Sequence, residues 1–246
     1  MKTLALFLFF SAALMSCSPN IQVVTLRGSN VRPADEGLIL DNDTLTLRYN
    51  FASERGVMHI SLVNKLNRPL YVDWKRSSFI VGQDKLDYWY DVADVQLEGA
   101  TVGSRYSRYS VGYLGGTISK EDMISFIPPQ TKLDKQQFVL VPDGHLVLSG
   151  PFKTEQEQSN LISRKKPIAV SVYNYSADKS PLTFRNYLTL STDKDFKNEF
   201  HIDTKFWASD VKVLPRDQVL SNFNGTYSEP VPFKKPDSFY VTLPVQ

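Results

Sequence analysis

The chain has 246 residues, enough to bury one good core or two small ones, and 42% of them are apolar, which excludes a disordered chain. A formal charge of +2 is too small an excess for electrostatic binding of nucleic acid, so no nucleic-acid partner is expected. Twelve Tyr, fifteen Phe and three Trp suit strands, and fourteen Pro with twelve Gly, scattered rather than clustered, suit many turns.

The first element is "MKTLALFLFFSAALMSC". Lys2 gives a positive start, and Leu4 to Leu14 is an apolar run of eleven residues broken only by Ser11. That is the layout of a secretory signal, and it is too short for a permanent span, which needs roughly 20 apolar residues. The ending, with Leu14, Met15 and Ser16 before Cys17, resembles the lipobox of bacterial lipoproteins. The resemblance implies cleavage between Ser16 and Cys17, a diacylglycerol on the Cys17 thiol and an acyl group such as palmitate on the new amino terminus. Several acyl chains, at about 0.8 kcal/mol per buried methylene, hold a protein to a membrane stably where one does not. Cys17 is also the only cysteine, so the mature chain has no thiol to spare for an internal disulfide.

Residues 17–36 read as a lipidated tether or spacer, because "SPN" and "RPADEG" have turn composition, with "IQVVTL" as a short strand inside it. No acidic run follows Cys17. Such a run resembles the surface-export signal of Bacteroidetes lipoproteins, and its absence points to an outer-membrane lipoprotein facing the periplasm.

Residues 37–246 then read as one β domain. "GLIL" and "TLTLRYNF" flank an Asp-Asn-Asp turn, with Leu45, Leu47, Tyr49 and Phe51 on one face. "GVMHISLVN" follows with Met58, Ile60 and Leu62 together, and Asn64 is placed to close the next turn with its side chain. Further strands are expected in "LYVDW", "SSFIV", "KLDYWYDV", "DMISFI", "QQFVLV", "HLVLSG", "PIAVSVYN", "NYLTLS", "KFWASDVKVL" and "SFYVTL". Short strands separated by turn signals indicate an antiparallel sandwich or barrel. Only "TEQEQSNLISR" and "PRDQVLSNF" suit helices, the second with Pro215 at its start. Trp74 and Trp89 are expected to fill the core.

Three stretches carry a further resemblance. "HISLVNKLNRPLYVDWKRSSFIVGQDKLDYWYD" and "SFIPPQTKLDKQQFVL" resemble immunoglobulin-like domains of bacterial envelope lipoproteins, and "SPLTFRNYLTLSTDKDF" with "FWASDVKVLP" resembles the C-terminal part of uncharacterised Bacteroidetes lipoproteins. The resemblance implies an all-β, antiparallel, immunoglobulin-like β-sandwich with few short helices, and an exported protein without an assigned activity.

Catalytic signals are sparse. His59, His145 and His201 form no metal-binding motif, and no nucleophile elbow, P-loop or dinucleotide fingerprint occurs; "RYSVG" has Arg108 where the first Gly of an elbow should stand. Neither catalytic residues, nor a metal, nor a cofactor are therefore assigned. Asp193, Asp195 and Glu199 have a loosely calcium-like spacing but lack the glycine of an EF-hand loop. The long Gly-rich insertion, Gly99 to Asp122, stands out because compact domains rarely keep such loops without function or disorder. It carries Arg105, Tyr106, Arg108, Tyr109 and Tyr113 as a candidate binding loop, the tyrosines suited to stacking on sugar rings and the arginines to anionic groups. Its plain reading is a surface loop or a two-stranded ribbon extending the sheet. The expected function is a non-enzymatic interaction or structural module of the cell envelope, held at the membrane by the lipid on Cys17, with an envelope protein or glycan as partner. Alternatives are a glycan- or small-ligand-binding lipoprotein and a carboxylate-dependent envelope hydrolase.

Overall fold

Alternation along the strands decides the architecture. In Leu45–Asn50 the residues Leu45, Leu47 and Tyr49 are buried while Thr46, Arg48 and Asn50 are only half-buried; in Val57–Asn64 Met58, Ile60, Leu62 and Asn64 are buried in the same way. A strand of that pattern needs a second apolar layer over one face. The structure, a computed structural model, describes residues 19–92, 121–159, 166–220 and 233–244, and the backbone of 94–103 and 110–119.

The described strands are, in chain order, β1 (Asn20–Gly28), β2 (Arg32–Ala34), β3 (Gly37–Asp41), β4 (Leu45–Asn50) and β5 (Val57–Asn64). Next come β6 (Leu70–Val81), β7 (Asp84–Asp87), β8 (Asp94–Gly103), β9 (Ser110–Ser119), β10 (Ile124–Ile127) and β11 (Lys132–Val139). The last are β12 (Lys153–Glu157), β13 (Ile168–Asn174), β14 (Thr183–Ser191), β15 (Glu199–Pro215) and β16 (Ser238–Thr242), with one helical turn, α1 (Asp217–Leu220), before β16. The larger sheet has nine strands: six along the path β10-β6-β14-β15-β1-β16, then β13 beside β15, β12 beside β13 and β7 beside β6. The smaller has five, in the order β11-β5-β4-β3-β2, and all ladders within both are antiparallel. The fold is an all-β antiparallel sandwich.

The two sheets share one main core. Val24, Leu26, Phe184, Leu188, Phe206 and Phe239 from the larger sheet meet Leu38, Leu45, Leu47, Tyr49, Met58, Ile60 and Leu62 from the smaller. Aromatic rings form its centre: Tyr49 meets Phe206 edge-on at 4.8 Å between centroids, and Phe79 meets Phe184 at 5.4 Å. Gly37 sits at φ 130°, where a Cβ would lie 2.1 Å from the Tyr49 carbonyl oxygen, so the β2–β3 turn closes over Tyr49 only with glycine.

A chain of buried polar groups crosses this core. The Tyr88 hydroxyl donates to Asn186 Oδ1 at 2.5 Å, and Asn186 Nδ2 donates to the Tyr49 hydroxyl at 2.9 Å. Asn186 belongs to β14 of the larger sheet and Tyr49 to β4 of the smaller, so the amide ties one layer to the other. Burial pushes the Tyr49 phenol up to about 12 and raises Tyr88 as well.

Several expectations are revised. β1 is a full strand between β15 and β16, so the folded body takes in Asn20 onward from the stretch read as spacer; only Ser18 and Pro19 separate Cys17 from it. Its "IQVV" run is apolar on both faces because both are covered: Val24 and Leu26 face the main core, while Ile21 and Val23 join Ile168, Val170, Val172 and Leu214 in a second cluster on the outer face. Part of "TEQEQSNLISR" is strand β12 and not helix, since pairing with β13 outweighs the helical propensity of its Glu and Gln residues. "HLVLSG" is not a strand. The Gln22 side-chain amide occupies both backbone groups of Leu146, each at 2.9 Å, in the place a neighbouring strand would take. "PRDQVLSNF" yields only α1 among the described residues. As expected, Asn64 closes its turn, accepting from Leu66 N–H at 2.9 Å, and Trp74 is buried in the core; Trp89 is half-buried and packs against its edge.

Asn186→Ala leaves two buried hydroxyls short of a partner and opens a small void. It is expected to lower stability by roughly 2–4 kcal/mol, read as an earlier midpoint in urea at unchanged slope. The two tyrosines also set an alkaline limit. Their folded pKa values lie above the unfolded value of about 10, so their contribution is complete below pH 10 and is lost as pH rises towards the folded values. Urea unfolding between pH 9 and 12 should show stability falling by up to about 1.4 kcal/mol per pH unit for each tyrosine, and Tyr49→Phe should flatten the slope.

Candidate functional site

A cavity lies on the outer face of the smaller sheet. Strand register builds its floor: Asn50 of β4 pairs with His59 of β5, and His59 pairs with Gln136 of β11. These residues alternate with Tyr49, Met58 and Ile60, which point into the core, so the same period that fills the sandwich lays three polar side chains in a row outside it. Adjacent strands are about 4.8 Å apart, so the row spans about 10 Å. The wall is Phe233, Lys234 and Pro236, from the approach to β16, and the cleft, open to solvent on one side, has a volume of about 420 Å³. Phe233 is held in place by packing edge-on against Tyr240 at 5.4 Å, and Pro236 by accepting the Phe51 N–H at 2.8 Å.

The electrostatics of this pocket are one-sided. Asn50 Oδ1 accepts from the Ala52 N–H, which leaves its amide N–H groups without a described partner. The Gln136 amide and the Lys234 ammonium form no hydrogen bond or ion pair among the described residues. No carboxylate lines the cavity. The nearest acid to His59 is Asp134, 3.9 Å from Nε2, and it is already engaged by Lys132 at 2.8 Å and by Ser61, contacts that hold its pKa down.

A second constellation sits at the far end of β15. Arg76 Nε meets Asp73 Oδ2 at 2.7 Å, and Nη1 meets Glu199 Oε2 at 2.5 Å, while the guanidinium lies 4.9 Å above the Phe196 ring. The hydrogen bonds to Asp73 and then Glu199 raise the Arg76 pKa. β6 makes this possible by looping out: Ser78 pairs with Tyr187 and Asp73 with Thr189, so residues 74–77 bulge from the ladder. The Asp73 carboxylate and carbonyl hold the bulge by accepting from Arg76 N–H and Ser77 Oγ. Glu199 also faces His201, which stacks on Tyr187 at 5.1 Å.

Asp193, Asp195 and Glu199 do not converge. Asp193 accepts from the Lys197 N–H, Asp195 faces Lys197 Nζ, and Glu199 is on Arg76. Among the described residues no three metal-ligating side chains come together.

Of the two plain readings of the insertion, surface loop or two-stranded ribbon, the structure has the ribbon. β8 and β9 pair without a bulge over ten residues, from Asp94↔Ser119 to Gly103↔Ser110, a length of about 33 Å. It forms a two-stranded sheet of its own and extends neither layer of the sandwich. Tyr113 lies on β9 opposite Ala100; Arg105, Tyr106, Arg108 and Tyr109, like Ser16 and Cys17, lie outside the described residues. At the root, the Trp89 indole donates to the Glu121 carbonyl at 2.8 Å and bridges the two feet, and Tyr90, Val92 and Met123 are exposed beside it.

Sequence reading missed the pocket. The outward period of Asn50 and His59 was visible, but the wall is contributed by residues about 175 positions further on, and no local pattern joins them.

Replacing residues 94–119 by a short Gly/Ser linker should leave the midpoint of thermal unfolding within a few degrees of the parent, because the ribbon pairs only with itself. A large fall would show that the sandwich leans on it. No protein-family model matches the chain, and no solved structure matches it.

Proposed function

We propose that the chain is a lipid-anchored protein of a bacterial cell envelope whose sandwich, of the immunoglobulin-like kind its motifs resemble, works as a binding module and not as an enzyme. The observation that carries the reading is the position of the only cysteine. Cys17 ends an apolar run and stands three residues before Asn20, the first residue of a strand set between two others. The signal and lipobox thus end where the folded body begins, and three residues reach at most about 10 Å. The lack of an acidic run directly after Cys17 supports an outer-membrane position facing the periplasm.

The non-enzymatic reading is supported by the acids that lie together. Asp73 and Glu199 share one guanidinium, so both carboxylates are engaged by Arg76 and neither lines the cleft on the smaller sheet. A protein partner is supported by the ribbon. β9 carries no charge and no proline along an edge that no third described strand covers, whereas the edge strand β12, "KTEQE", is charged and β2 contains Pro33. The reading as a small-ligand or glycan binder is favoured by the pocket at Asn50, His59 and Gln136, with Tyr113 and the Arg105–Tyr109 segment as a second surface for a glycan.

Cys17→Ala is expected to abolish incorporation of labelled palmitate, to block removal of residues 1–16 and to move the protein out of the membrane fraction. Unchanged labelling and retention would overturn the anchor.

A further inference from the structure

We infer that the pocket on the outer face of the smaller sheet takes a small acidic sugar, a pyranose that bears one carboxylate. The inference rests on the binding-module reading and is independent of the lipid anchor.

The floor determines what the ligand must offer. Asn50 presents amide N–H groups, since its oxygen is committed to Ala52 N–H. Gln136 presents a whole carboxamide, able to donate to one hydroxyl and accept from another. His59 Nδ1 bonds no described group. Groups of this kind, in a row of about 10 Å, fit a ring bearing several hydroxyls better than they fit an apolar molecule, which would leave them unsatisfied.

The wall determines the charge and the shape. Lys234 brings a cation with no described counter-ion, and no acid lines the space to oppose it. Asp134, the acid beside His59, is already paired with Lys132. A ligand carboxylate completes this arrangement. Phe233 and Pro236 supply an apolar side against which the C–H face of a pyranose can lie. A phosphate group is a poorer match, because the lining has one lysine, no arginine and no glycine-rich backbone cradle. The cavity of about 420 Å³ falls within the range of small-molecule sites.

The test uses the chain from Ser18 to Gln246, which holds every described strand. Galacturonate and glucuronate are titrated by calorimetry, with galactose and glucose as neutral counterparts. The uronates are expected to bind at least tenfold more tightly than the neutral sugars. Lys234→Ala should cost about tenfold or more in uronate affinity, as expected for losing a charged hydrogen bond, and Gln136→Ala a smaller factor, both at unchanged thermal stability. Equal affinity for acidic and neutral sugars, lost on His59→Ala, would overturn the acid specificity and leave the binding module standing. No binding of any of the four sugars, or uronate binding untouched by Lys234→Ala, would overturn the pocket as the site.

Discussion

The hydrogen bonds of Asn186 are the constraint on which the sandwich turns. A carboxamide in the middle of an aromatic core is costly unless each of its atoms is matched, and its two described partners come from different parts of the fold. Tyr49 reaches it from the facing sheet, and Tyr88 from the chain just past β7. Apolar packing alone tolerates sliding of one layer over the other. A donor at 2.9 Å and an acceptor at 2.5 Å do not, so this node fixes the register between sheets that share no ladder.

That register has a consequence on the outside. Side chains alternate along β4 and β5, so fixing Tyr49 inward fixes Asn50 outward, and fixing Met58 and Ile60 inward fixes His59 outward. A slip of one residue would bury Asn50 and expose Tyr49. The pocket floor is therefore the reverse side of the core, as rigid as the strands that carry it. Its wall is secured separately, by Phe233 on Tyr240 and by the backbone of Pro236 on Phe51.

The fold class was legible because period-two alternation is a local signal, clearest in Leu45–Asn50 and Val57–Asn64. Less legible was everything settled by distant partners. Whether 145–150 formed a strand depended on Gln22, more than 120 residues away, whose amide takes the backbone groups of Leu146. The polar run at 154–157 became a strand because β13 lay beside it. The Gly-rich insertion carried a visible strand pattern on each arm, Val95 and Leu97 just before it and Leu114 and Ile118 within it, which its turn-like composition obscured. The pocket joins β5 to residues near the C-terminus and leaves no trace in either segment.

β1 is the first of the described strands in chain order and one of the last completed. Its neighbours are β15 and β16: Val24 pairs with Val211 on one side and Phe239 on the other. Closing so long a loop carries an entropic cost that no local contact offsets, and folds dominated by such contacts assemble slowly. The larger sheet therefore cannot knit until nearly the whole chain is present. A chain that emerges amino end first through a narrow channel stays slack behind its leading strand, and its seam is sealed only when the tail arrives.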